Sequence, residues 1–519
     1  MTDYPTSFST PPSLMTRRQL LHRLGLVGGS SLVMGTMGAW DLMGAAREPR
    51  PAWQRGERQA SVLILGGGLS GLVAGWELGK LGYDCRILEA RESVGGLCWT
   101  VRRGDSHTEI GGERQVCDFD EGQYFNAGAW RIPHADTGVL DYCAELGVPL
   151  ELFVNSTDAN FLYEEDPERG PLAGRRVQLR EAKADLWGSI TELLAKAMDQ
   201  GQLDVPLTPE DRERLVTFLV QAGYLDSADY VYRPPALRGS EERYDLGALL
   251  TAGFGARVRS LYANTGGPDP VFQPVGGMNQ IPLAFHHAMQ DRVVLGTEVV
   301  SIRQTDSQVR VAHRNVRTGE EGEASAEYCI CCLPMAVLKT IDVDLSPEMA
   351  EAVASTTHSD SAKMGLQMKR RFWEEDDGIF GGHLFNRSLG LGEFSYPSND
   401  YLTEKGILLG FYAGGSTAEL NQQPIRERIE YVLTQAGKVH PQMRQEFDTA
   451  YAVWWEKVPY SLGAYGRSPE EDVRAQLAKA DGRLYLGSAG TGTRPAWLQG
   501  AIESAWQAVD AVHRRVSAG

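Results

Sequence analysis

The chain has 519 residues, 42% apolar and 23% charged, with a formal net charge of −17 at pH 7. This length exceeds what one ordinary hydrophobic core organises, so we expect two or more domains. Nucleic acids and anionic membranes both attract basic surfaces, so the acidic balance argues against either as a partner. Ordinary solubility accounts for the charge.

The N-terminal 47 residues have the composition of a targeting segment. Arg17 and Arg18 lie in TRRQLL, which matches the twin-arginine export signal, and a weakly apolar region follows from Leu24 to Met43. Glycines interrupt this region, so it predicts no stable membrane anchor. We expect residues 1–47 to engage the twin-arginine export machinery, which implies a periplasmic or secreted protein. The alternative is an arginine pair that begins an ordinary N-terminal helix.

A strand–turn–helix pattern follows the targeting segment. Val62–Leu65 is an apolar run of a length typical of a buried parallel strand. Gly66, Gly68 and Gly71 have the G-x-G-x-x-G spacing, and apolar residues recur at helical spacing over Leu69–Leu81. Such glycines allow a tight turn and close backbone approach, so that the helix N-terminus faces a pyrophosphate. A glycine-rich turn without a ligand is the alternative.

A second predicted strand ends in Glu89, close to the distance at which a carboxylate accepts hydrogen bonds from a ribose. Arg91, Gly95 and Gly96 form R-x-x-x-G-G directly after this acid. The extended motif resembles that of the flavin amine oxidase superfamily and, within it, the L-amino acid oxidases. The chain departs from the family at Leu97, where relatives usually have arginine.

The resemblance extends over most of the chain after the targeting segment. It implies an α/β fold in which a Rossmann-like FAD-binding domain alternates with a substrate domain of mixed sheet and helices. Residues 58–150, 265–345 and 456–519 are assigned to the FAD domain, and residues 151–264 and 346–455 to the substrate domain. Dimers are common among relatives, so the resemblance also implies a homodimer, whereas the sequence itself leaves the oligomeric state open.

Patterning between the motifs predicts further elements. Gly104–Glu121 is polar and rich in turn residues, which predicts a loop. Glu151–Asn264 shows helical periodicity and is too long for a connection, which predicts a mostly helical insertion. Other helices are predicted over Thr137–Leu146, Pro424–Val439 and Leu498–Arg514.

The seven cysteines carry no recognisable metal motif. Cys329, Cys331 and Cys332 lie in the strand-like run EYCICCLP, whereas zinc sites require paired C-x-x-C ligands. An odd number of cysteines cannot pair completely within one chain. We therefore predict that Cys329, Cys331 and Cys332 are buried free thiols and that the chain holds no metal site. The remaining cysteines are scattered and receive no assignment: Cys85, Cys98, Cys117 and Cys143.

Arg131, in the segment FNAGAWRIP, is the candidate for binding an anionic substrate group. The resemblance places it where amino acid oxidases hold an arginine that binds the substrate carboxylate. A guanidinium matches a carboxylate in a two-bond fork that lysine cannot reproduce, and oxidases of simple amines do not need that charge. The alternative is a surface arginine in an ordinary salt bridge.

Two residues of the predicted substrate domain match functional positions of relatives. Lys363 matches a lysine bonded to a water near the flavin, where a buried ammonium would aid electron transfer to oxygen; the alternative is an exposed lysine at a strand end. Tyr412 matches a tyrosine that hydrogen-bonds the substrate carboxylate. Phe411 offers a competing register, and a core tyrosine is a further alternative.

Trp497 matches the aromatic residue that walls the substrate pocket in relatives, with Ala496 where glycine is common. Relatives have Gly-Glu after the last strand, with the glutamate on the ribityl chain of the flavin, whereas this chain has Ser488 and Ala489. One cofactor hydrogen bond is therefore missing or supplied by another group. Val299 is the candidate for a backbone contact to the adenine.

The resemblance thus assigns three sets of site residues. Lys363 is the predicted catalytic residue. The predicted substrate contacts are Arg131, Tyr412, Trp497 and Ala496. The residues predicted to bind FAD are Gly66, Gly68, Leu69, Ser70, Gly71, Glu89, Ala90, Arg91, Gly95, Gly96, Leu97, Gly128, Ala129, Trp130, Arg131, Val299, Ser488, Ala489, Trp497 and Ala501.

These matches imply an FAD-dependent L-amino acid oxidase, which would convert an amino acid and oxygen into a 2-oxo acid, ammonia and hydrogen peroxide. Three alternatives stay open. An amine or polyamine oxidase would share the cofactor motifs without needing Arg131. An amino acid dehydrogenase would share the substrate site and pass electrons to a quinone. A non-catalytic flavin-binding protein would retain the glycine motif.

The preferred amino acid side chain is not encoded in any of these motifs. Pocket walls would come from the predicted helical insertion, which does not align clearly with relatives. Asp226 and Asp229 in this insertion would favour basic substrates, although acids on helices more usually face water.

Overall fold

The computed structural model describes residues 50–201, 208–235, 242–256, 270–386, 388–414, 418–467, 469–492, 494 and 496–518. The predicted targeting segment, residues 1–47, lies outside the described residues, as does the end of the predicted helical insertion. None of the described helices combines the length and apolar character that a membrane span requires.

The strands of the described residues form two larger sheets, of five and seven strands, and four smaller ones. The strands are β1 (Ser61–Leu65), β2 (Asp84–Leu88), β3 (Thr100–Arg102), β4 (Ser106–Thr108), β5 (Arg114–Val116), β6 (Tyr124–Asn126), β7 (Ile132–Pro133), β8 (Leu150–Phe153), β9 (Phe161–Tyr163), β10 (Val177–Gln178), β11 (Val271–Pro274), β12 (Val293–Val294), β13 (Thr297–Gln304), β14 (Val309–Asn315), β15 (Glu321–Ala326), β16 (Tyr328–Cys331), β17 (Asp342–Val343), β18 (Ser361–Met368), β19 (His383–Asn386), β20 (Phe394–Ser395), β21 (Gly406–Gly414), β22 (Phe447–Trp454) and β23 (Leu484–Leu486). The helices are α1 (Leu69–Lys80), α2 (Thr137–Glu145), α3 (Leu179–Asp199), α4 (Pro209–Ala222), α5 (Leu246–Thr251), α6 (Gln280–Met289), α7 (Met335–Leu338), α8 (Pro347–Ser355), α9 (Phe372–Glu375), α10 (Ala418–Asn421), α11 (Ile425–Gly437), α12 (Met443–Glu446), α13 (Glu471–Leu477) and α14 (Leu498–Ala518).

The five-stranded sheet is parallel, with the strand order β12-β2-β1-β16-β23. Successive side chains of its central strand point to opposite faces. Val62 and Ile64 pack in the core shared with α1 and α14. Leu63 and Leu65 pack in the core shared with the smaller sheet of β13, β14 and β15. The parallel sheet is therefore covered on both faces, and the predicted α/β fold class is confirmed.

The seven-stranded sheet has the order β10-β9-β19-β20-β21-β18-β22 and is antiparallel except between β9 and β19. All eight residues of β18 are buried, because this strand lies between β21 and β22. Lys363 on β18 pairs with Tyr412 on β21 and with Val453 on β22. A predicted site lysine therefore lies within a fully buried strand.

The two larger sheets alternate along the chain. Residues 61–88, 293–331 and 484–486 supply strands to the parallel sheet, whereas residues 161–178 and 361–454 supply the seven-stranded sheet. This alternation agrees with the interleaved fold that the resemblance implied. The domain boundaries themselves stay a prediction.

The prediction of a loop over Gly104–Glu121 is wrong in part, since β4 and β5 form an antiparallel hairpin within it. Each strand has three residues, which is too short for alternation to show in the sequence. The side chain of Gln115 holds the hairpin in place. Its amide nitrogen donates to the carbonyl of Ala452 (2.8 Å), and its amide oxygen accepts from the Ala452 N–H (3.1 Å).

The mostly helical insertion is confirmed for α3, α4 and α5, but the prediction is wrong for the first part of the segment. Residues 151–178 contain the end of β8, then β9 and β10, and the last two form one edge of the seven-stranded sheet. β9 is an apolar triplet, fully buried, that carries no periodic signal of its own. The helices predicted over 137–146, 424–439 and 498–514 are confirmed as α2, α11 and α14.

Candidate active site

A cavity of about 830 Å³ lies where the carboxyl ends of the parallel strands face β18 and β21. Gly66, Glu89 and Cys332 line it directly after β1, β2 and β16, and Ser488 follows β23. Ligands of open α/β sheets bind at this edge. Every site residue predicted from the sequence lines the cavity except Gly71.

The glycine turn combines two distinct roles. Gly66 has a φ of +99°, which favours glycine, and it leads into α1, whose first residue is Leu69. Gly68, at the N-cap, has no side chain to cap the helix, and Gly68, Leu69 and Ser70 line the cavity, so the first helical N–H groups are available to an anionic ligand there. Gly71 does not line the cavity: a Cβ there would lie 2.0 Å from the Gly66 carbonyl oxygen. The assignment of Gly71 as a cofactor contact is therefore corrected to close packing of helix on turn.

Glu89 is held at the end of β2 by two backbone N–H groups. Its Oε2 accepts from Gly67 (2.6 Å) and its Oε1 from Arg91 (2.8 Å). The residue is buried, at 7% exposure, yet it lines the cavity. A fixed carboxylate here suits ribose hydroxyls, as the sequence motif predicted.

Arg91 places a guanidinium in the cavity wall. Leu97, at the position where relatives usually have arginine, lines the cavity without a charge. Arg91 donates to the carbonyl of Gly96 (3.1 Å) and, across the cavity edge, to Ser461 Oγ (2.6 Å) and the carbonyl of Pro459 (3.1 Å). Burial lowers its pKa from the usual value, with Glu89 acting in the opposite sense. No carboxylate of the described residues lies within 4 Å of this guanidinium, so its charge is available to an anionic cofactor.

Arg131 lines the same cavity and is held by neutral partners. Its Nη1 donates to Asn155 Oδ1 (3.1 Å) and lies 3.3 Å from His383 Nε2. The guanidinium also lies over the Trp130 ring, 4.9 Å from its centroid. Within the part of the chain that the structure describes, no acid forms a salt bridge with Arg131. Its positive charge is therefore uncompensated by protein.

His383 accepts this hydrogen bond as a neutral imidazole. Burial, together with the charge of Arg131, lowers the pKa of His383 to about 3. An unprotonated Nε2 is the acceptor that a guanidinium requires. Asn155 and His383 lie 24 and 252 positions from Arg131 in the chain, and no sequence motif signals either of them.

Lys363 lies in the cavity wall with 2% of its surface exposed, so an exposed lysine at a strand end is excluded. Its Nζ donates to the carbonyl of Gly128 (2.6 Å) and lies 4.3 Å from the Tyr412 ring centroid and 5.0 Å from that of Trp130. Burial lowers the pKa of Lys363 to about 7. This amine can therefore hold or release a proton near neutral pH.

The two registers proposed for β21 are distinguished by burial. Phe411 is 1% exposed and stacks on Trp454, with ring centroids 5.7 Å apart, in the core of the seven-stranded sheet. Tyr412 points to the other face and lines the cavity. The register with Tyr412 in the site is therefore the one observed.

The remaining predicted positions form the end of the cavity near α14. Ser488 and Ala489 line it shortly after β23, Ala496 and Trp497 directly before α14, and Ala501 within the first turn of that helix. Val299 lines the cavity from β13. Cys329, Cys331 and Cys332 are free thiols as predicted, although Cys332 is only partly buried, and the other four cysteines are free as well. The described residues contain no group of His, Cys, Asp or Glu side chains able to hold a metal ion.

Residues 69–513 match the family model described as flavin-containing amine oxidoreductase. The chain therefore belongs to the flavin-containing amine oxidoreductases. Its cofactor is FAD, and the glycine turn, Glu89 and Arg91 are suited to the ribose and diphosphate of that group.

Curated relatives match this chain over most of their own length. The flavin-dependent L-tryptophan oxidase RebO of Lentzea aerocolonigenes is 26% identical over 484 residues, covering 87% of this chain and 97% of the relative. An L-amino-acid oxidase of Echis ocellatus is 24% identical over 463 residues, covering 85% and 87%. The structure of wild-type putrescine oxidase bound to putrescine has a TM-score of 0.60 at 18% identity, covering 88% of this chain and 100% of that one, and shows the shared fold.

Proposed function

We propose that this flavin-dependent oxidoreductase oxidises L-amino acids to 2-oxo acids and ammonia, with oxygen reduced to hydrogen peroxide. The observation that carries the proposal is Arg131, a cavity guanidinium held by the neutral side chains of Asn155 and His383. A substrate carboxylate would supply the missing negative charge in a two-bond fork. Relatives named as L-amino-acid oxidases support the same substrate class.

The chain's own residues would bind and orient the substrate. Arg131 binds the carboxylate, the Tyr412 hydroxyl supplies a further donor to it, and Trp130 and Trp497 provide apolar walls that exclude water. Bound FAD supplies the acceptor for the hydride of the α-carbon and is reoxidised by oxygen. Lys363 can hold or release a proton at Nζ beside this space near neutral pH, since its pKa lies near 7.

Arg131→Ala tests the substrate class. Removing one partner of a desolvated charge pair costs about 2–4 kcal/mol, so kcat/KM for amino acids should fall roughly 30- to 1000-fold while the flavin absorbance is retained. Arg131→Lys should restore only part of this loss, because lysine lacks the fork. Arg233→Ala, at an exposed arginine outside the cavity, is the matched control. Unchanged amino acid turnover in Arg131→Ala would contradict the proposal.

The electron acceptor is tested separately. Anaerobic addition of L-amino acids should bleach the flavin bands, and air should restore them with one peroxide formed for each amino acid oxidised. Bands that stay bleached in air would indicate a dehydrogenase that uses a quinone. Bands that respond to amines and not to amino acids would indicate an amine oxidase.

We also propose that the protein is exported by the twin-arginine machinery, is periplasmic or secreted, and forms a homodimer, as the family resemblance implies. The motif around Arg17 and Arg18 supports export, because this route carries folded proteins that already hold their cofactor. Replacing both arginines by lysine should leave flavin-loaded protein in the cytoplasm, as cell fractionation would show. Sedimentation of the purified protein measures its oligomeric state.

A further inference from the structure

The cavity contains a carboxylate that the proposed reaction does not use. Glu393 lines the cavity directly before β20, and its side chain is exposed. Its backbone N–H donates to the carbonyl of Tyr412 (2.9 Å). The Tyr412 side chain lines the same cavity, so this bond holds the backbone of Glu393 next to a residue that is predicted to contact the substrate.

The charge of Glu393 is available to a ligand. Among the described residues, no lysine, arginine or histidine lies within 4 Å of its carboxylate. Burial is the main cause of the lowered pKa of Lys363. The charge of Glu393 raises this pKa, and the charge of Arg131 lowers it further. The surroundings of Lys363 thus contain one negative and one positive charge from the cavity wall.

We propose that Glu393 binds the cationic end of the substrate's side chain, so that the enzyme prefers basic L-amino acids such as lysine, ornithine or arginine. This inference rests on the proposed function. A basic amino acid carries an anionic carboxylate for Arg131 and a cation at the far end of its side chain for Glu393. The exposed position of the Glu393 side chain is suited to the cationic end of the substrate's side chain, because that end lies farthest from the reacting α-carbon.

Neither the other acids considered from the sequence nor a diamine substrate matches the cavity as well as Glu393 and a basic amino acid do. Asp226 and Asp229, the acids considered from the sequence, pair with Arg233 and do not line the cavity. A diamine would also offer a cation to Glu393, but it has no carboxylate and would leave Arg131 unpaired. The combination of Arg131 and Glu393 in one cavity therefore favours a basic amino acid.

Glu393→Gln, which keeps the shape and removes the charge, tests this assignment with lysine and norleucine, a neutral analogue of lysine that lacks the ε-amine. The wild-type enzyme should prefer lysine by kcat/KM. In Glu393→Gln the lysine-to-norleucine ratio should fall about tenfold or more, with norleucine turnover within about twofold of wild type. Asp229→Asn, which removes an acid outside the cavity, should leave the ratio unchanged. Glu393→Asp should retain most of the preference.

Binding without turnover gives an independent readout. 6-Aminohexanoate and hexanoate share a carboxylate and chain length and lack the α-amine, so neither can be deaminated at the α-carbon. Spectral titration of the flavin should show tighter binding of 6-aminohexanoate than of hexanoate, and the difference should disappear in Glu393→Gln. Retained flavin absorbance in each variant shows that it is folded.

Three outcomes would overturn the role of Glu393 while leaving amino acid oxidation intact. They are a wild-type enzyme without preference for lysine over norleucine, a ratio unaffected by Glu393→Gln, and equal losses for both substrates. Failure of the proposed function looks different: no amino acid bleaches the flavin of the wild-type enzyme.

Discussion

The side-chain amine of Lys363 donates a 2.6 Å hydrogen bond to the backbone carbonyl of Gly128, which joins strand β18 of the seven-stranded sheet to the segment that carries Arg131. The amine also lies between the rings of Trp130 and Tyr412. A buried lysine without a carboxylate partner titrates far below its usual range. This placement gives the cavity an amine that changes charge near pH 7.

Lys363→Met should slow reoxidation of the reduced enzyme by oxygen about 10²-fold, because a preorganised charge beside the reacting group is lost. The wild-type rate should fall as pH rises through about 7, where Lys363 loses its proton. Stopped-flow mixing of reduced enzyme with oxygenated buffer measures both effects. A pH-independent wild-type rate would contradict this role.

Stability offers a second readout of the same group. Between the pKa of Lys363 in the folded protein, about 7, and its usual value of 10.5, the unfolded chain binds the additional proton. The free energy of unfolding of the flavin-free wild type, relative to Lys363→Met, should therefore rise with pH across this window and be flat below it. Denaturant titrations at several pH values test the sign. If the difference in free energy of unfolding fell with rising pH, the pKa of Lys363 would not be lowered in the folded protein.

His383→Leu should weaken binding of amino acids because Arg131 loses one of its two neutral acceptors. A hydrogen bond of this kind contributes about 0.5–1.5 kcal/mol, so KM should rise about two- to tenfold with little change in kcat. His383→Gln, which keeps an acceptor, should recover most of the affinity. Since the pKa of His383 is about 3, its ionisation should add no feature to the KM profile near neutral pH. A larger effect on kcat than on KM would argue against a positioning role.

Local patterns in the sequence predicted the cofactor site because its parts lie close together in the chain. The strand, glycine turn, helix and Glu89 all fall within residues 61–89, and each has a periodicity or spacing of its own. Site residues that are distant in the chain and meet only after folding have no recognisable spacing or periodicity in the sequence. His383 meets Arg131 from 252 positions away, and Glu393 joins the cavity through a backbone contact with Tyr412. Strands of two or three residues, such as β10 and β4, are likewise too short to show alternation.

A buried ion pair should be a major determinant of stability outside the cavity. Arg428 on α11 donates to both carboxylate oxygens of Glu109, at 2.6 and 2.9 Å, and their side chains are 3% and 1% exposed. Glu109→Gln would leave the guanidinium with no full counter-charge, so it should destabilise the protein by about 3–5 kcal/mol. Denaturant unfolding measures this loss. The double variant Glu109→Leu with Arg428→Met should cost less than the two single losses added, since neither charge is then left alone.

Two glycines on helices give opposite expectations for the same substitution. Gly71→Ala would place a methyl group 2.0 Å from the Gly66 carbonyl oxygen, so the helix must shift away from the turn that holds the cofactor. Overpacking of this kind costs about 1–3 kcal/mol, and we expect protein purified with less flavin. Gly437, the last residue of α11, has no atom within 4 Å of a built Cβ, so Gly437→Ala should stabilise the protein by about 0.5–1 kcal/mol through lower backbone entropy. Thermal unfolding and the ratio of flavin to protein absorbance distinguish the two. Full flavin occupancy in Gly71→Ala would show that the turn can yield without loss of the cofactor site.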